Sequence, residues 1–273
     1  MKFKIFVVVL AVALAWFVGR RYAAGLPEAG DNDAAVASAP GAQQMDQTFK
    51  LARGARVEVS GINGPVEVVA ADDAASAEVH IENVARDADA LADHKITVVQ
   101  TERGLTVRGE NRSGGFWHWL VSGGGGIKAR QRVMLKLPRG AEFVARGVSG
   151  SVRVGALDGP VRVSGVSGGV EIERATGTAE ISGINGGVSL ALAELGAQGA
   201  RISGVNGVIE LRVPAGLNAD LDVSGMNGSF DNDAPNVTVE AQPNRSRAHA
   251  RIGNGGSAIK ISGINGGVHL VGN

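Results

Sequence analysis

The side chains of this chain that could do chemistry are its acids, its histidines and one cluster of aromatic residues. Glu171 and Glu173 stand on either side of Ile172, so on a strand both carboxylates would lie on one face, as the acid pair of a glycosidase does. Charged residues also alternate with inward apolar residues simply because the outer face of a strand meets water. This second explanation accounts for the pair, and the sequence predicts no catalytic residue and no enzymatic activity.

The sequence also lacks a set of side chains with the spacing of metal ligands. The chain has five scattered histidines without metal-ligand spacing and no cysteine, which removes thiolate ligands and disulfides. Its glycine repeat invites comparison with calcium-binding β-rolls, but apart from Asp158 the turn positions hold Ser, Thr and Asn. Because Ca²⁺ requires several carboxylates, the sequence predicts no metal and no cofactor.

The aromatic residues are concentrated in one glycine-flanked segment, Gly109 to Gly126. Two of the three tryptophans of the chain lie there, in the cluster Phe116, Trp117, His118, Trp119 and Leu120. Aromatic side chains are enriched at binding hot spots and membrane interfaces, so this segment is a candidate contact loop for a protein partner, a glycan or a lipid surface. The alternative is a plug that folds back over the apolar edge of the domain.

A repeat organises the rest of the chain. The phrase SGINGGV occurs at 182–188 and again at 262–268, and looser copies begin at Ser60, Ser164, Ser203 and Ser224. A stricter spacing of nine residues separates the repeat glycines, which are Gly150, Gly159, Gly168, Gly177 and Gly186. Each follows a turn-forming residue and has apolar residues two before, two after and four after it. This pattern is typical of short strands joined by tight turns.

The repeat makes three expectations about the turns and strands. The repeat glycines are expected to adopt positive φ angles, because glycine has no Cβ to clash there. The apolar columns are expected to point inward. Asn185, Asn206 and Asn227, with the equivalent Asn265, are predicted to form a structural ladder in which each amide satisfies the neighbouring turn.

The period of the repeat indicates the architecture. Two halves make a unit of 18 residues, which lengthens to 21 from Gly186 to Gly207 and on to Gly228. Such a period predicts an all-β solenoid of the β-helix or β-roll kind, with roughly 18–21 residues per coil. An antiparallel meander is the alternative, because N-G between apolar residues is also a hairpin signal. The solenoid is favoured because the chain offers almost no amphipathic helix to cover a meander.

Three segments are predicted along the chain. Residues 1–25 contain an uncharged apolar run from Ile5 to Gly19 flanked by basic residues, which predicts a hydrophobic helix acting as a membrane anchor or, alternatively, a cleaved signal peptide. Residues 26–47 are a predicted flexible linker, and residues 48–273 the strand-repeat domain. The protein is therefore expected to be exported, in the periplasm or cell envelope, and tethered to the inner membrane.

The balance of charge bears on the partners. The chain has 27 basic and 27 acidic residues, interspersed, and a formal net charge of zero. A protein that binds nucleic acid presents a basic surface to the phosphates, and this sequence contains no basic excess that would form one. Nucleic acid is therefore not an expected partner.

The strands around the turns carry a resemblance to a known family. The segments VMLKLPRGAEFVARGVSGSVRV (133–154) and LRVPAGLNADLDVSGMNGSF (211–230) resemble the bacterial exported β-strand-repeat proteins called putative adhesins, a domain of unknown function. The GIN triplets at Gly61, Gly183 and Gly263 resemble the related auto-transporter adhesin head domain. The resemblance covers about Thr48 to Asn273. It implies a right-handed β-helix or similar β-roll outside the cytoplasm, and no catalytic residues.

Two functions are compatible with these features. The first is a non-enzymatic adhesin of the cell envelope that presents a repetitive binding surface to a protein, glycan or other envelope partner. The second is a structural or regulatory envelope scaffold, which associates with copies of itself through the solenoid ends or docks a membrane signalling partner. Stable higher oligomers would favour the scaffold, whereas a monomer that binds cell-surface glycans would favour the adhesin.

Overall fold

A computed structural model describes residues 42–72, 75–85, 91, 93–111, 129–239 and 246–273. This part of the chain is built from strands, in chain order: β1 (Ala42–Lys50), β2 (Arg56–Ser60), β3 (Val66–Ala71), β4 (Ser76–Ala85), β5 (His94–Thr101), β6 (Gly104–Asn111), β7 (Ala129–Pro138), β8 (Glu142–Val148), β9 (Val152–Leu157), β10 (Val161–Val166), β11 (Val170–Ile184), β12 (Val188–Val205), β13 (Ile209–Val213), β14 (Ala219–Met226), β15 (Phe230–Asn232), β16 (Val237–Val239), β17 (Arg247–Ile252), β18 (Ser257–Ile264) and β19 (Val268–Gly272). All of these strands belong to one hydrogen-bonded sheet, so the predicted all-β class is confirmed.

The N-terminal segment is not part of this description. The predicted hydrophobic helix and most of the predicted linker fall in residues 1–41, outside the described ranges. Among the described residues, no helix is long and apolar enough to cross a membrane. Strand β1 begins at Ala42, so residues 42–47, which the sequence assigns to the linker, lie in a strand.

The strands form because apolar and polar residues alternate along them. In β10, Val161 and Val163 are buried, whereas Arg162 between them is partly exposed. Every apolar position two before, two after or four after a repeat glycine, from Val148 to Leu190, is likewise buried. The inward columns predicted from the sequence are therefore confirmed.

The strands lie side by side in two parallel ladders. Ladder A consists, in spatial order, of β6, β2, β8, β10, the second half of β11, the second half of β12, β18 and β14. Ladder B consists of β7, β3, β9, the first half of β11, the first half of β12, β13, β19 and β15. Because neighbours in both ladders are parallel, these strands do not form the antiparallel meander.

The register of the ladders equals the period of the sequence repeat. Val170 lies opposite Val188, 18 positions further along the chain. Val188 in turn lies opposite Ile209, 21 positions further along. The additional residues are accommodated between Leu195 and Ala200, where the register against β11 shifts. Each repeat unit therefore contributes one strand segment to each ladder.

Spatial order departs from chain order at both ends of the repeat. The C-terminal unit, made of β18 and β19, lies between the unit of β12 and β13 and the unit of β14 and β15. Similarly, β2 and β3 lie between β6 and β7 on one side and β8 and β9 on the other. The last unit of the sequence is thus not the last unit of the ladders, and both of its edges are paired.

Antiparallel strands cover the ends of the ladders. Strand β5 pairs with the outer edge of β6, and β4 followed by β1 extends ladder B beyond β7. At the opposite end, β17 and β16 extend ladder A beyond β14. The edge of a sheet that has no neighbouring strand can pair with another chain. With these antiparallel strands in place, the parallel strand that still has an unpaired edge among the described residues is β15, which is only three residues long.

The two ladders share one hydrophobic core. Val163 of ladder A and Val154 of ladder B belong to the same cluster of buried residues, which runs through the described repeat units. Val, Ile, Leu and Ala supply most of it, and Phe143 is the largest of its fully buried side chains. The sheet therefore folds back on itself and leaves its polar residues on the outside, where a binding surface is to be sought.

Candidate functional site

The repeated phrase of the sequence forms the turns that connect the two ladders. We call these six-residue segments, each joining a strand of ladder A to a strand of ladder B, the A–B turns: 60–65, 146–151, 164–169, 182–187, 203–208, 224–229 and 262–267. Each has a small first glycine, an inward apolar residue, then Asn or Ser, then a second glycine. Because neighbouring units stack in register, the seven turns form one continuous edge of the domain.

The first glycine of every A–B turn adopts a positive φ near 65°, and in two turns the second glycine, Gly64 or Gly266, has a positive φ as well, at 152° and 156°. The angle is 64° at Gly165, 64° at Gly183 and 62° at Gly204, and the other turns are similar. Glycine is favoured at such angles because any Cβ would crowd the backbone. The expectation that positive φ falls on the repeat glycines was correct for Gly177, at 102°, and wrong for the other four, Gly150, Gly159, Gly168 and Gly186.

The second glycine of the turn is required for a different reason. A Cβ on Gly186 would lie 2.6 Å from the carbonyl oxygen of Gly168, and one on Gly168 would lie 2.7 Å from that of Gly150. Gly159, in the turn that leads from β9 of ladder B back to β10 of ladder A, has the same restriction, since its Cβ would lie 2.1 Å from the carbonyl oxygen of Ala141. These glycines allow the backbones of successive units to approach closely.

The asparagines of the A–B turns form a hydrogen-bonded ladder. Asn206 Nδ2 donates to Asn185 Oδ1 at 2.9 Å, Asn265 Nδ2 donates to Asn206 Oδ1 at 2.8 Å, and Asn227 Nδ2 donates to Asn265 Oδ1 at 3.3 Å. The predicted ladder is present, but Asn265 stands between Asn206 and Asn227 because the C-terminal unit is inserted there. The amides bind one another rather than the neighbouring turn.

Backbone hydrogen bonds hold the same column. The N–H of Asn185 donates to the carbonyl of Val166 and that of Asn206 donates to the carbonyl of Ile184, both at 2.8 Å. Ser167 makes the equivalent bond to Val148 at 2.9 Å, so the turn does not need an amide side chain to form. The four asparagine side chains are exposed, and each can make further hydrogen bonds beyond those of the ladder.

A column of serines runs beside the asparagines. Ser164, Ser182, Ser203, Ser262 and Ser224 occupy one register position of ladder A. They are partly exposed and lie three residues before the turn position of Asn or Ser in each unit. The A–B edge therefore presents two parallel rows of identical small polar groups at the strand spacing of about 4.8 Å.

Alternating charges cover the outer face of the strands. On ladder B, Arg153 Nε donates to Glu171 Oε2 at 2.9 Å, and this bond together with the charge of Glu171 raises the pKa of Arg153. On ladder A, Arg162 lies 3.5 Å from Glu180. Such exposed pairs contribute only about 0–1 kcal/mol each, so they serve mainly to keep the outer face polar.

The remaining sequence-predicted groups form no catalytic or metal site among the described residues. Glu171 and Glu173 lie on the same outer face, and Glu171 is engaged by Arg153. Within the described ranges, no group of three or more His, Asp or Glu side chains is arranged to hold a metal ion. The aromatic cluster Phe116, Trp117, His118, Trp119 and Leu120 lies outside the described residues, between the end of β6 at Asn111 and the start of β7 at Ala129.

One histidine links the outermost strand of ladder B to its neighbour. His80 on β4 lies with Nδ1 2.5 Å from Asp46 Oδ1 of β1 and Nε2 3.3 Å from Glu82 Oε1. Burial lowers the pKa of His80, but the hydrogen bonds and charges of Asp46 and Glu82 outweigh it, so the pKa lies above its ordinary value of 6.5. The charged imidazolium therefore stabilises the contact between β1 and β4.

The contact between His80 and Asp46 predicts that the stability of the pairing between β1 and β4 depends on pH. Because the pKa of His80 is raised in the folded state, its stabilisation is fully present below about 6.5 and is lost as the pH rises through the folded-state pKa. We expect a proton titration of the His80 ring by NMR to show a midpoint above 6.5 in the wild type and a lower midpoint in Asp46→Asn. Equal midpoints in the two proteins would show that Asp46 does not hold the imidazolium.

Comparison with known proteins finds similarity in structure only. No protein-family model and no curated protein sequence matches the chain. A "putative cell adhesion protein" from Clostridium sporogenes aligns over 85% of this chain and 100% of its own, with a TM-score of 0.46 and 8% identity. "Putative adhesins" from Bacteroides fragilis and Parabacteroides distasonis each align over 84% of this chain and 97% of their own, with TM-scores of 0.36 and 0.25 and identities of 10% and 12%.

Proposed function

We propose that this protein is a non-enzymatic binding module of the bacterial cell envelope, an adhesin-like β-solenoid that presents a repetitive surface. The observation that carries the proposal is the A–B edge, where Asn185, Asn206, Asn265 and Asn227 form one exposed ladder beside a column of serines. A surface of identical groups at a fixed spacing suits a partner that is itself repetitive.

The solenoid path explains how the edge arises. In this path the chain visits ladder A, crosses an A–B turn to ladder B, and returns one unit further along. The registers of 18 and 21 residues, the parallel pairing and the shared core support it. Since seven units pass through the same kind of turn, a single short phrase of sequence builds the whole edge.

Binding through such an edge would depend on avidity. Each asparagine offers at least one donor hydrogen and one acceptor lone pair beyond those used in the ladder, and each contact alone is weak. Several weak contacts to one repetitive partner act together, because after the first contact the others form at high effective concentration. Hydrogen bonds of the turn backbone and between the amides hold the ladder in place before the partner binds. Little side-chain conformational entropy is therefore lost on binding.

Export and tethering complete the proposal. The apolar run from Ile5 to Gly19, with basic residues before and after it, favours a membrane anchor or a signal peptide. A tether of about twenty residues would then hold the strand domain outside the cytoplasm, with its A–B edge free to meet a partner. Fractionation of cells expressing the full chain, with the mature N-terminus sequenced, tests both points.

The A–B edge can be tested by replacing its amides with the residue that other units already use. Ser149 and Ser167 occupy the same turn position as the asparagines and form the same backbone bond. We therefore expect the fourfold variant N185S/N206S/N227S/N265S to fold normally, and cells expressing it to lose adhesion to a surface coated with envelope polysaccharide by about tenfold or more.

A change outside the A–B turns serves as the control. Arg201 and Lys260 lie side by side on the outer face of ladder A, before the turns begin at Ser203 and Ser262, and the double variant R201S/K260S is expected to adhere like the wild type. Undiminished adhesion of the fourfold variant would contradict the proposal. Stable higher oligomers of the full chain, together with unchanged adhesion, would favour the envelope scaffold instead.

A further inference from the structure

A groove opens on the outer face of ladder B, directly beside the A–B edge. It has a volume of about 360 Å³ and crosses four repeat units. Its lining includes the residues that follow the second glycine of four A–B turns, namely Ser151, Gly169, Gly187 and Val208. The groove therefore runs along the direction in which the units stack, parallel to the asparagine ladder.

The groove exists because two of these positions, 169 and 187, are glycines, although the surrounding backbone leaves room for a side chain there. A Cβ on Gly187 would meet the carbonyl oxygen of Val208 at 3.4 Å, which is ordinary contact, and Gly169 has the same clearance to Gly187. Neither glycine adopts positive φ. At the equivalent position the next unit carries Val208, which is 57% exposed, so a larger residue is accepted there. The fold does not require glycine at 169 and 187, yet glycine there leaves the surface open.

The wall of the groove presents hydrogen-bonding groups without a net charge. Glu171, Ser189 and Glu210 lie opposite one another in consecutive units, so a carboxylate, a hydroxyl and a carboxylate follow at the strand spacing of about 4.8 Å. Arg153 neutralises Glu171 at 2.9 Å, and Arg212 neutralises Glu210 at 2.7 Å. A cationic or anionic polymer gains little from such a wall.

We propose that this groove binds a segment of an uncharged polysaccharide, laid along the stacking direction. Hydroxyl groups both donate and accept, so they suit a row of carboxylate and serine oxygens followed by the asparagine amides next to it. One hexose of an extended glycan is similar in length to the spacing between strands, so successive sugars would meet successive units. The inference rests on the proposed binding function and names the class of its ligand.

The test uses the full chain, purified in a detergent without a sugar headgroup, and titrates it with linear hexasaccharides. Three are uncharged (cellohexaose, laminarihexaose and maltohexaose), and hexagalacturonate is the anionic comparison. We expect saturable binding of at least one uncharged probe, unaffected by salt, and a dissociation constant about tenfold or more higher in Gly187→Val, whose side chain fills the groove. Gly216→Val adds the same side chain at an exposed glycine with open space around it and should bind like the wild type.

Three outcomes would each overturn the proposal that the groove binds an uncharged polysaccharide. The first is that no uncharged hexasaccharide binds, and the second is that hexagalacturonate binds more tightly than the uncharged probes. The third is that Gly187→Val and the wild type bind the uncharged probe with equal affinity. The adhesion measurement on the fourfold asparagine variant is a separate test, because that variant changes the A–B edge and leaves Gly169, Gly187 and Val208 of the groove unchanged. Loss of adhesion in the asparagine variant alone would support the A–B edge and reject the groove, whereas loss of hexasaccharide binding in Gly187→Val alone would do the reverse.

Discussion

Ile184→Asp is expected to unfold the strand domain. Ile184 is 2% exposed and points into the core shared by both ladders. The substitution removes a large apolar side chain and places a carboxylate between Val166 and Val205 of the neighbouring strands, which costs about 4–5 kcal/mol or more. Because the total stability of a domain is about 5–15 kcal/mol, we expect loss of the cooperative unfolding transition in circular dichroism.

The matched control for this prediction lies on the same strand. Glu180 is exposed, on the outer side of β11, and its nearest charged neighbour is Arg162 at 3.5 Å. Glu180→Ala should therefore change the free energy of unfolding by about 1 kcal/mol or less. Similar stability of Ile184→Asp and Glu180→Ala would show that the inward column is assigned incorrectly.

Gly186→Val is expected to destabilise the strand domain strongly. The new Cβ would lie 2.6 Å from the carbonyl oxygen of Gly168 and 2.9 Å from the backbone nitrogen of Gly169. Backbone atoms of the adjoining unit cannot rotate away as a flexible side chain can, so the units must separate locally. We expect a loss of about 3 kcal/mol or more in the free energy of unfolding, measured by urea denaturation.

The adjacent glycine supplies the comparison. Gly187→Val places the same side chain one residue further along, where the nearest atom is 3.4 Å from Cβ. Its free energy of unfolding should stay within about 0.5 kcal/mol of the wild type, as for surface substitutions elsewhere. If both variants were equally stable, close approach between units would not be the reason for glycine at 186.

The sequence predicted the inward and outward faces well, for a simple physical reason. A strand has a period of two, so apolar residues at alternate positions define one face whichever strands lie beside it. Val152, Val154 and the equivalent residues of other units are buried as this rule requires. The register of 18 and 21 residues follows from the same repeat, because identical units stack best on one another.

The role of the glycines was harder to predict. Each of the three glycines in the phrase SGINGGV follows a small or polar residue, and composition alone does not say which of them takes positive φ. The structure places that angle on Gly183 and close approach on Gly186, while Gly187 has neither constraint. Three glycines within five residues thus have three different reasons, and only the positions of neighbouring units distinguish them.

The order of the units could not be predicted. The turns at 182–188 and 262–268 have identical sequences, and the local rules that form a turn do not specify which unit stacks against it. Insertion of β18 and β19 before β14 and β15 decides that Asn265, not Asn227, follows Asn206 in the ladder. Long-range pairing also creates the groove, since it places Gly169, Gly187 and Val208 in one row.

The sequence by itself determined the all-β class, the period and the inward columns, because these depend on alternation and spacing along the chain. Only the tertiary structure decided the order of the units, the antiparallel strands at the ends of the ladders, and the row of open glycines beside the asparagines. The difference is physical. Local periodicity fixes which way a side chain points, whereas the neighbours it meets are set by hydrogen bonds between residues far apart in the chain.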